Sequence, residues 1–309
     1  MSDYYDDASF SGTRIPFLRR RQVGDALSDT FDFLRHSGRE YAVGIIVLVL
    51  PIVVLNLVVS VVSGAQAQSM EMLTAMLSGE LDPEALGAGP SLGLVALSSV
   101  LGLVVFVLMQ AATLAYLQRY RNGEAGSIPP GVLWEATKPL LLPVGGVMIA
   151  TTALVTVLVF ANILPCLGQI AFLGGLLFLG PIMWMWPVAR VFDAEGLGSA
   201  FRRTRTLMKG HWGASLMTVI LIMIVVFVLV TLVSVPAIVL AFALGDLMGN
   251  VVAVASGALG LLLYPIYGLP VITATLHYFN LVERSEAVDL KRRVDDLDDL
   301  DPPADPEGW

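Results

Sequence analysis

The chain is poor in reactive groups. Its single cysteine, Cys166, lies in a short "LPCLG" turn and excludes any disulfide within the chain. There are three histidines, His36, His211 and His277, and none has a partner at metal-ligand spacing. No HExxH, Walker loop, GxSxG or paired-cysteine motif occurs. The acidic run "DDLDDLD" at 295–301 lacks the central glycine and terminal glutamate of a calcium loop and reads as a solvated face. The expectation is a protein that is not an enzyme, with no catalytic residues, no cofactor and no metal.

Charge is scarce as well. Asp, Glu, Lys and Arg make up 14% of the 309 residues, where a soluble domain carries about 25%. The chain is 56% hydrophobic, with a mean hydropathy of +0.77. Apolar runs of about 20 residues have the length of membrane spans. Six occur, at about 41–63, 92–117, 139–163, 167–189, 213–244 and 250–282. They are continuously apolar, which excludes an alternating β-barrel pattern. No charged residue enters the apolar core of any run. A mid-membrane charge costs roughly 2.5–3.5 kcal/mol on insertion scales and marks ion or proton paths. Its absence argues against a proton-coupled pump, a voltage sensor or an intramembrane metalloprotease.

The basic residues are segregated. All 18 lie before the first run, between the second and third, between the fourth and fifth, or after the sixth. The other three loops hold none, although they hold Glu71, Glu80, Asp82, Glu84 and Asp246. Lys and Arg are retained on the cytoplasmic side during insertion. This pattern predicts a multi-pass protein of the cell's inner membrane with both termini cytoplasmic. Ten of the 26 acids follow residue 282, so the net charge of −8 reflects a solvated tail. Nothing basic and aromatic enough for nucleic acid is present.

Three stretches have amphipathic helical periodicity next to the spans: "VGDALSDTFDFLR" at 23–35, "LGSAFRRTRTLMK" at 197–209 and the shorter "PPGVLWEATK" at 129–138. Helices of this kind lie flat in the headgroup layer, where Arg202, Arg203, Arg205 and Lys209 would meet anionic lipid headgroups of the bilayer. The span exits also match: "ATLAYLQRYRNGEA" at 112–125 and "ATLHYFNLVERSEA" at 274–287 share Ala, Thr, Leu, Tyr, Glu and Ala. The exit of the fourth span, "RVFDAEG" from Arg190, keeps the Arg and Glu. These matches predict an all-α polytopic fold of six transmembrane helices, built as a three-fold tandem repeat of interfacial helix and two-span hairpin. Domain limits follow: 1–40 as a cytoplasmic segment with an interfacial helix, 41–282 as the membrane domain, and 283–309 as a helical extension and acidic tail. A seam of Ala287, Leu290, Val294 and Leu297 in that extension either packs on the interfacial helices or binds a protein partner on the cytoplasmic side.

Proline suggests a site. The fourth span contains Pro181 and Pro187, and the sixth reads "YPIYGLP", with Pro265, Tyr267, Gly268 and Pro270. Each proline removes a backbone donor, and the freed carbonyls either pack or line a cavity, as in the broken helices of transporters.

The stretch "TLHYFNLVERSEAVDL" resembles the last-span signature of the bacterial glycerophosphoryl diester phosphodiesterase membrane-domain family. "EGLGSAFRRTRTLMKGHW" at 195–212 resembles the family's middle loop, and "VGDALSDTFDFLR" its amino-terminal helix. The family is named from proteins in which this region precedes a catalytic barrel. Here 27 residues follow Val282, none of them histidine, and the catalytic His, Glu and Asp constellation is absent. The resemblance therefore implies a membrane module. The functional expectation is a scaffold or modulator of a membrane complex. The alternative is a lipid or small-solute carrier using the proline-broken fourth and sixth spans.

Overall fold

A computed structural model describes residues 15, 17, 21–62, 92–124, 128–161, 163–164, 166–193, 196–261 and 263–286. The outer loop after the first span and the seam from Ala287 onward lie outside the described residues. Every regular element among the described residues is helical: α1 (Val23–Val62), α2 (Leu92–Arg121), α3 (Pro130–Ala161), α4 (Leu167–Phe192), α5 (Leu197–Met208), α6 (Trp212–Leu261), α7 (Leu263–Tyr267) and α8 (Leu269–Glu286). Five of them, α1 to α4 and α6, are long and apolar enough to cross a membrane, as a multi-pass membrane protein requires. Helix is the expected form, because in lipid each backbone amide must find its partner within its own segment.

Of the three predicted interfacial helices, only 197–208 is a separate helix. Its end is set by Gly210, whose φ of +85° suits a residue without a Cβ. The backbone turns there through Lys209 N to Thr206 O (3.1 Å) and His211 N to Met208 O (2.8 Å). No such stop follows residue 35, so 23–35 is the first part of the 40-residue α1. Its charges, Asp25 to Glu40, precede an uncharged half from Tyr41 to Val62. Residues 130–138 likewise run directly into α3, with Pro130 at the first helical position, where a missing amide costs nothing.

The fourth span is continuous. α4 passes Pro181 and Pro187 unbroken, with both rings buried. The break falls in the last apolar stretch, between α7 and α8 at Gly268. The loop expected between the fifth and sixth spans is instead part of α6, a single helix of 50 residues. Its sequence there has glycines but no proline, so nothing removes a backbone donor. α6 is not straight, however. A straight helix from Ser215 to Leu261 is about 69 Å long, and Leu263 to His277 spans only about 21 Å. Yet Ser215 Oγ lies 2.9 Å from His277 Nε2. That closure requires α6 to bend sharply along its length.

Packing divides the molecule into two zones. Toward the ends that carry the arginines, side chains are buried: Ala111 to Leu117 of α2, Met185 to Ala189, Val191 and Phe192 of α4, and nearly all of α8. Away from that basic end the helices present large apolar side chains outward, among them Val54, Leu55 and Val58 of α1, Val157 and Phe160 of α3, Ile170 and Leu173 of α4, and Phe227 and Leu232 of α6. Such a belt is stable in lipid, where apolar exposure carries no penalty.

Candidate functional site

The polar centre is built on α8. Fourteen of its 18 residues are buried, including Thr273, Thr275, His277, Asn280 and Glu283. A helix surrounded on all sides must satisfy its polar side chains through its neighbours, and apart from His277 Nδ1 the contacts described below follow that rule.

At the basic end, Asn280 clamps the chain entering α1. Its Oδ1 accepts from Arg21 N at 2.7 Å and its Nδ2 donates to Arg21 O at 3.1 Å. The Arg21 side chain is fully buried. Its Nε donates to Asp29 Oδ2 at 2.6 Å and its Nη1 to Phe17 O at 2.7 Å. Arg284 completes the clamp, donating to Asn280 Oδ1 at 3.1 Å and to Arg21 O. Further along, Thr273 Oγ1 and Thr30 Oγ1 share a hydrogen bond of 2.9 Å. At the break, Tyr41 fills the space over Gly268, where a Cβ would overlap its hydroxyl. That hydroxyl also bonds Thr113 Oγ1 at 3.0 Å. α1 and α8 thus run antiparallel and are joined at three levels.

A second group ties α5 to α4 and α8. Asp193, the C-cap of α4, accepts from Arg203 Nε at 3.0 Å and from the Tyr278 hydroxyl. Arg203 Nη1 is paired with Glu286 Oε1 at 2.5 Å. Burial alone would lower the Arg203 pKa, but its hydrogen bonds to Glu286 and Asp193 and the neighbouring Tyr278 and Glu286 groups raise it above the usual arginine value, so the cation is retained. Trp186 Nε1 donates to Leu197 O at 2.9 Å, and the Trp186 ring meets Phe201 edge to face at 5.1 Å. Aromatic rings fill the space between the two groups. Phe279 meets Phe17 at 5.4 Å and Phe192 at 5.1 Å, with the Arg121 guanidinium 4.9 Å over its ring.

The residues expected from the sequence fall as follows. Pro181 and Pro187 are buried inside α4, whereas Pro265, Tyr267, Gly268 and Pro270 lie around the α7–α8 break. Pro265 and Pro270 are partly buried, and Tyr267 is exposed. The break is occupied by Tyr41. Arg203 turns inward to carboxylates, while Arg202, Arg205 and Lys209 are exposed.

Sequence reasoning did not find Arg21, Asp29, Asp193, Ser215, Tyr278 or Asn280. The sequence match between the expected span exits was the available signal. Tyr116 and Tyr278 occupy matched positions and are both fully buried, and Asp193 sits in the third exit. The pair Ser215–His277 has the separation of a nucleophile and its base. Both side chains are buried, however, and among the described residues His277 Nδ1 has no partner, so none of them orients the imidazole as a third group would. Among the described residues, no group of three or more His, Cys, Asp or Glu side chains could hold a metal ion. No family model matches the chain, and no curated protein or solved structure matches it.

Proposed function

We propose that the chain is a six-span inner-membrane protein, both termini cytoplasmic, that acts as a non-enzymatic scaffold or modulator of a membrane complex. The observation that carries this reading is the engagement of the buried polar groups at the basic end by one another. Arg21, Asn280, Arg284, Asp193, Arg203 and Glu286, with Asp29, lock four helices, α1, α4, α5 and α8, into one body. Such a body holds a fixed surface toward the cytoplasm, which suits a dock.

Orientation rests on the segregation of all 18 basic residues. Six crossings rest on the closure of Ser215 on His277 together with the length of α6, about 75 Å, against a hydrocarbon layer of about 30 Å. A reversal within α6 accounts for both, and the helix contains Pro236, proline being a common cause of sharp kinks. The resemblance to the phosphodiesterase-associated membrane domain fits a module that works beside another protein.

Native mass spectrometry of the protein, gently extracted from its own membrane, tests the reading. A second protein in stoichiometric amount is the expected result. A lone chain that moves a solute across liposomes would contradict it and support the carrier alternative, for which the helix break at Gly268 is the one favourable feature. In a carrier, replacing Pro265 and Pro270 by Ala abolishes transport while the melting temperature is retained; in a scaffold the same variant keeps its partner.

A further inference from the structure

We infer that Arg202, Arg205 and Lys209 form a binding stripe for the phosphate groups of anionic phospholipid in the leaflet at the basic end. The inference rests on the membrane-spanning reading and is independent of the scaffold role.

Covalent continuity confines α5. It is joined at Asp193–Leu197 to the end of α4 and at Lys209–Trp212 to the start of α6, and both of those helices are of membrane-crossing length. It therefore cannot leave the level at which they emerge. Its depth is marked by Leu197, which packs against Gly146 of α3, where a Cβ would stand 3.5 Å from the leucine. One turn to either side of Gly146 on α3 are Leu142 and Ile149, which are 86% and 64% exposed. Large apolar side chains this open are tolerated against lipid, so α5 lies against the flank of the bundle where apolar surface gives way to charge.

The two faces of α5 are chemically distinct. Ala200, Thr204, Leu207 and Met208 are buried against the bundle. Arg202 and Arg205 are three residues apart on the opposite stripe, Lys209 continues it one turn later, and all three are exposed. No carboxylate pairs with any of them among the described residues, whereas Arg203, on the flank, is held by both Asp193 and Glu286. Among the described residues, the two carboxylates paired at this helix, Asp193 and Glu286, are both engaged by Arg203, and the outward cations are open to an external anion. Trp212, 38% exposed at the start of α6, adds the amphipathic ring characteristic of the interface. Three cations at headgroup depth beside an apolar flank match the phosphate and acyl chains of a single anionic lipid. Binding by basic residues at such a surface falls off within a Debye length.

The test uses the full chain reconstituted in vesicles of equal phosphatidylcholine and phosphatidylglycerol, excised in polymer discs, with the retained lipids counted per protein. Wild type is expected to retain phosphatidylglycerol in excess of the bulk ratio, and 1 M salt is expected to remove the excess. The R202Q/R205Q/K209Q variant is expected to return to the bulk ratio, with a loss of affinity of about ten-fold or more. It is also expected to keep the wild-type melting temperature, since all three side chains are exposed. An unchanged excess in the variant, a wild-type ratio equal to bulk, or an excess that survives 1 M salt would each overturn the inference.

Discussion

Gly268 shows how one residue sets a local structure. Its amide donates to Pro265 O at 3.1 Å, which closes the turn between α7 and α8. The absence of a Cβ makes room for the Tyr41 hydroxyl. Gly268→Ala is therefore expected to lower stability by about 1–3 kcal/mol, the usual cost of overpacking, read as a fall in melting temperature in detergent. Combining it with Tyr41→Phe is expected to recover part of that fall, because the overlapping atom is gone. If Gly268→Ala melts like wild type, the close approach is wrong. Ser215→Ala leaves His277 Nε2 without its partner in a buried site, at a cost of about 1–3 kcal/mol, and melts no lower than wild type only if that hydrogen bond is absent. The sequence made Gly268 visible as a helix break because proline and glycine act locally. Tyr41 was not visible, since its role depends on a contact 227 positions away along the chain.

Among the elements, α5 is the part best anticipated by periodicity. Its buried Ala200, Thr204, Leu207 and Met208 are the residues that the 3.6-residue pattern places on one face. The same pattern at 23–35 placed Ala26 and Thr30 correctly on the covered side but missed the boundary, and it is Phe33 rather than Phe31 that is buried there. Amphipathicity reports which side of a helix is covered and not where the helix stops, and a stop needs a feature such as Gly210. The inward turn of Arg203 was likewise illegible, because four cations within eight residues look equivalent until Asp193 and Glu286 are brought beside one of them. Arg203→Gln removes both ion pairs and leaves Asp193, largely buried, with Tyr278 as its remaining side-chain partner among the described residues. The expected loss is about 2 kcal/mol, less than for a fully buried pair because the arginine is partly open to water. Faster proteolysis at the ends of α5 is the expected sign. Arg203→Lys rescues only in part, since one ammonium cannot copy a guanidinium that reaches two carboxylates through different nitrogens. Wild-type resistance in Arg203→Gln would show that α5 is held by its apolar face alone.

At the scale of the molecule, composition was the informative signal. Long apolar runs and segregated arginines specified a helical membrane protein before any contact was known. The density of the basic end was hinted at only by the matching span exits, whose Tyr116 and Tyr278 are both fully buried. The number of crossings depends on α6. Labels at Leu216 and Gly260 would stand about 66 Å apart on a straight helix, and the bend predicts less than about 45 Å by electron-spin distance measurement. A value near the straight-helix distance would remove the sixth crossing.

Orientation is tested most directly by the chain's own Cys166, which is exposed in the turn between α3 and α4. A membrane-impermeant maleimide applied to intact cells is expected to label Cys166 from outside. In a Cys166→Ser background, Arg202→Cys is expected to react only after the membrane is opened. Labelling of position 202 in intact cells, with Cys166 protected, would place the packed basic end on the outer face and contradict the cytoplasmic dock.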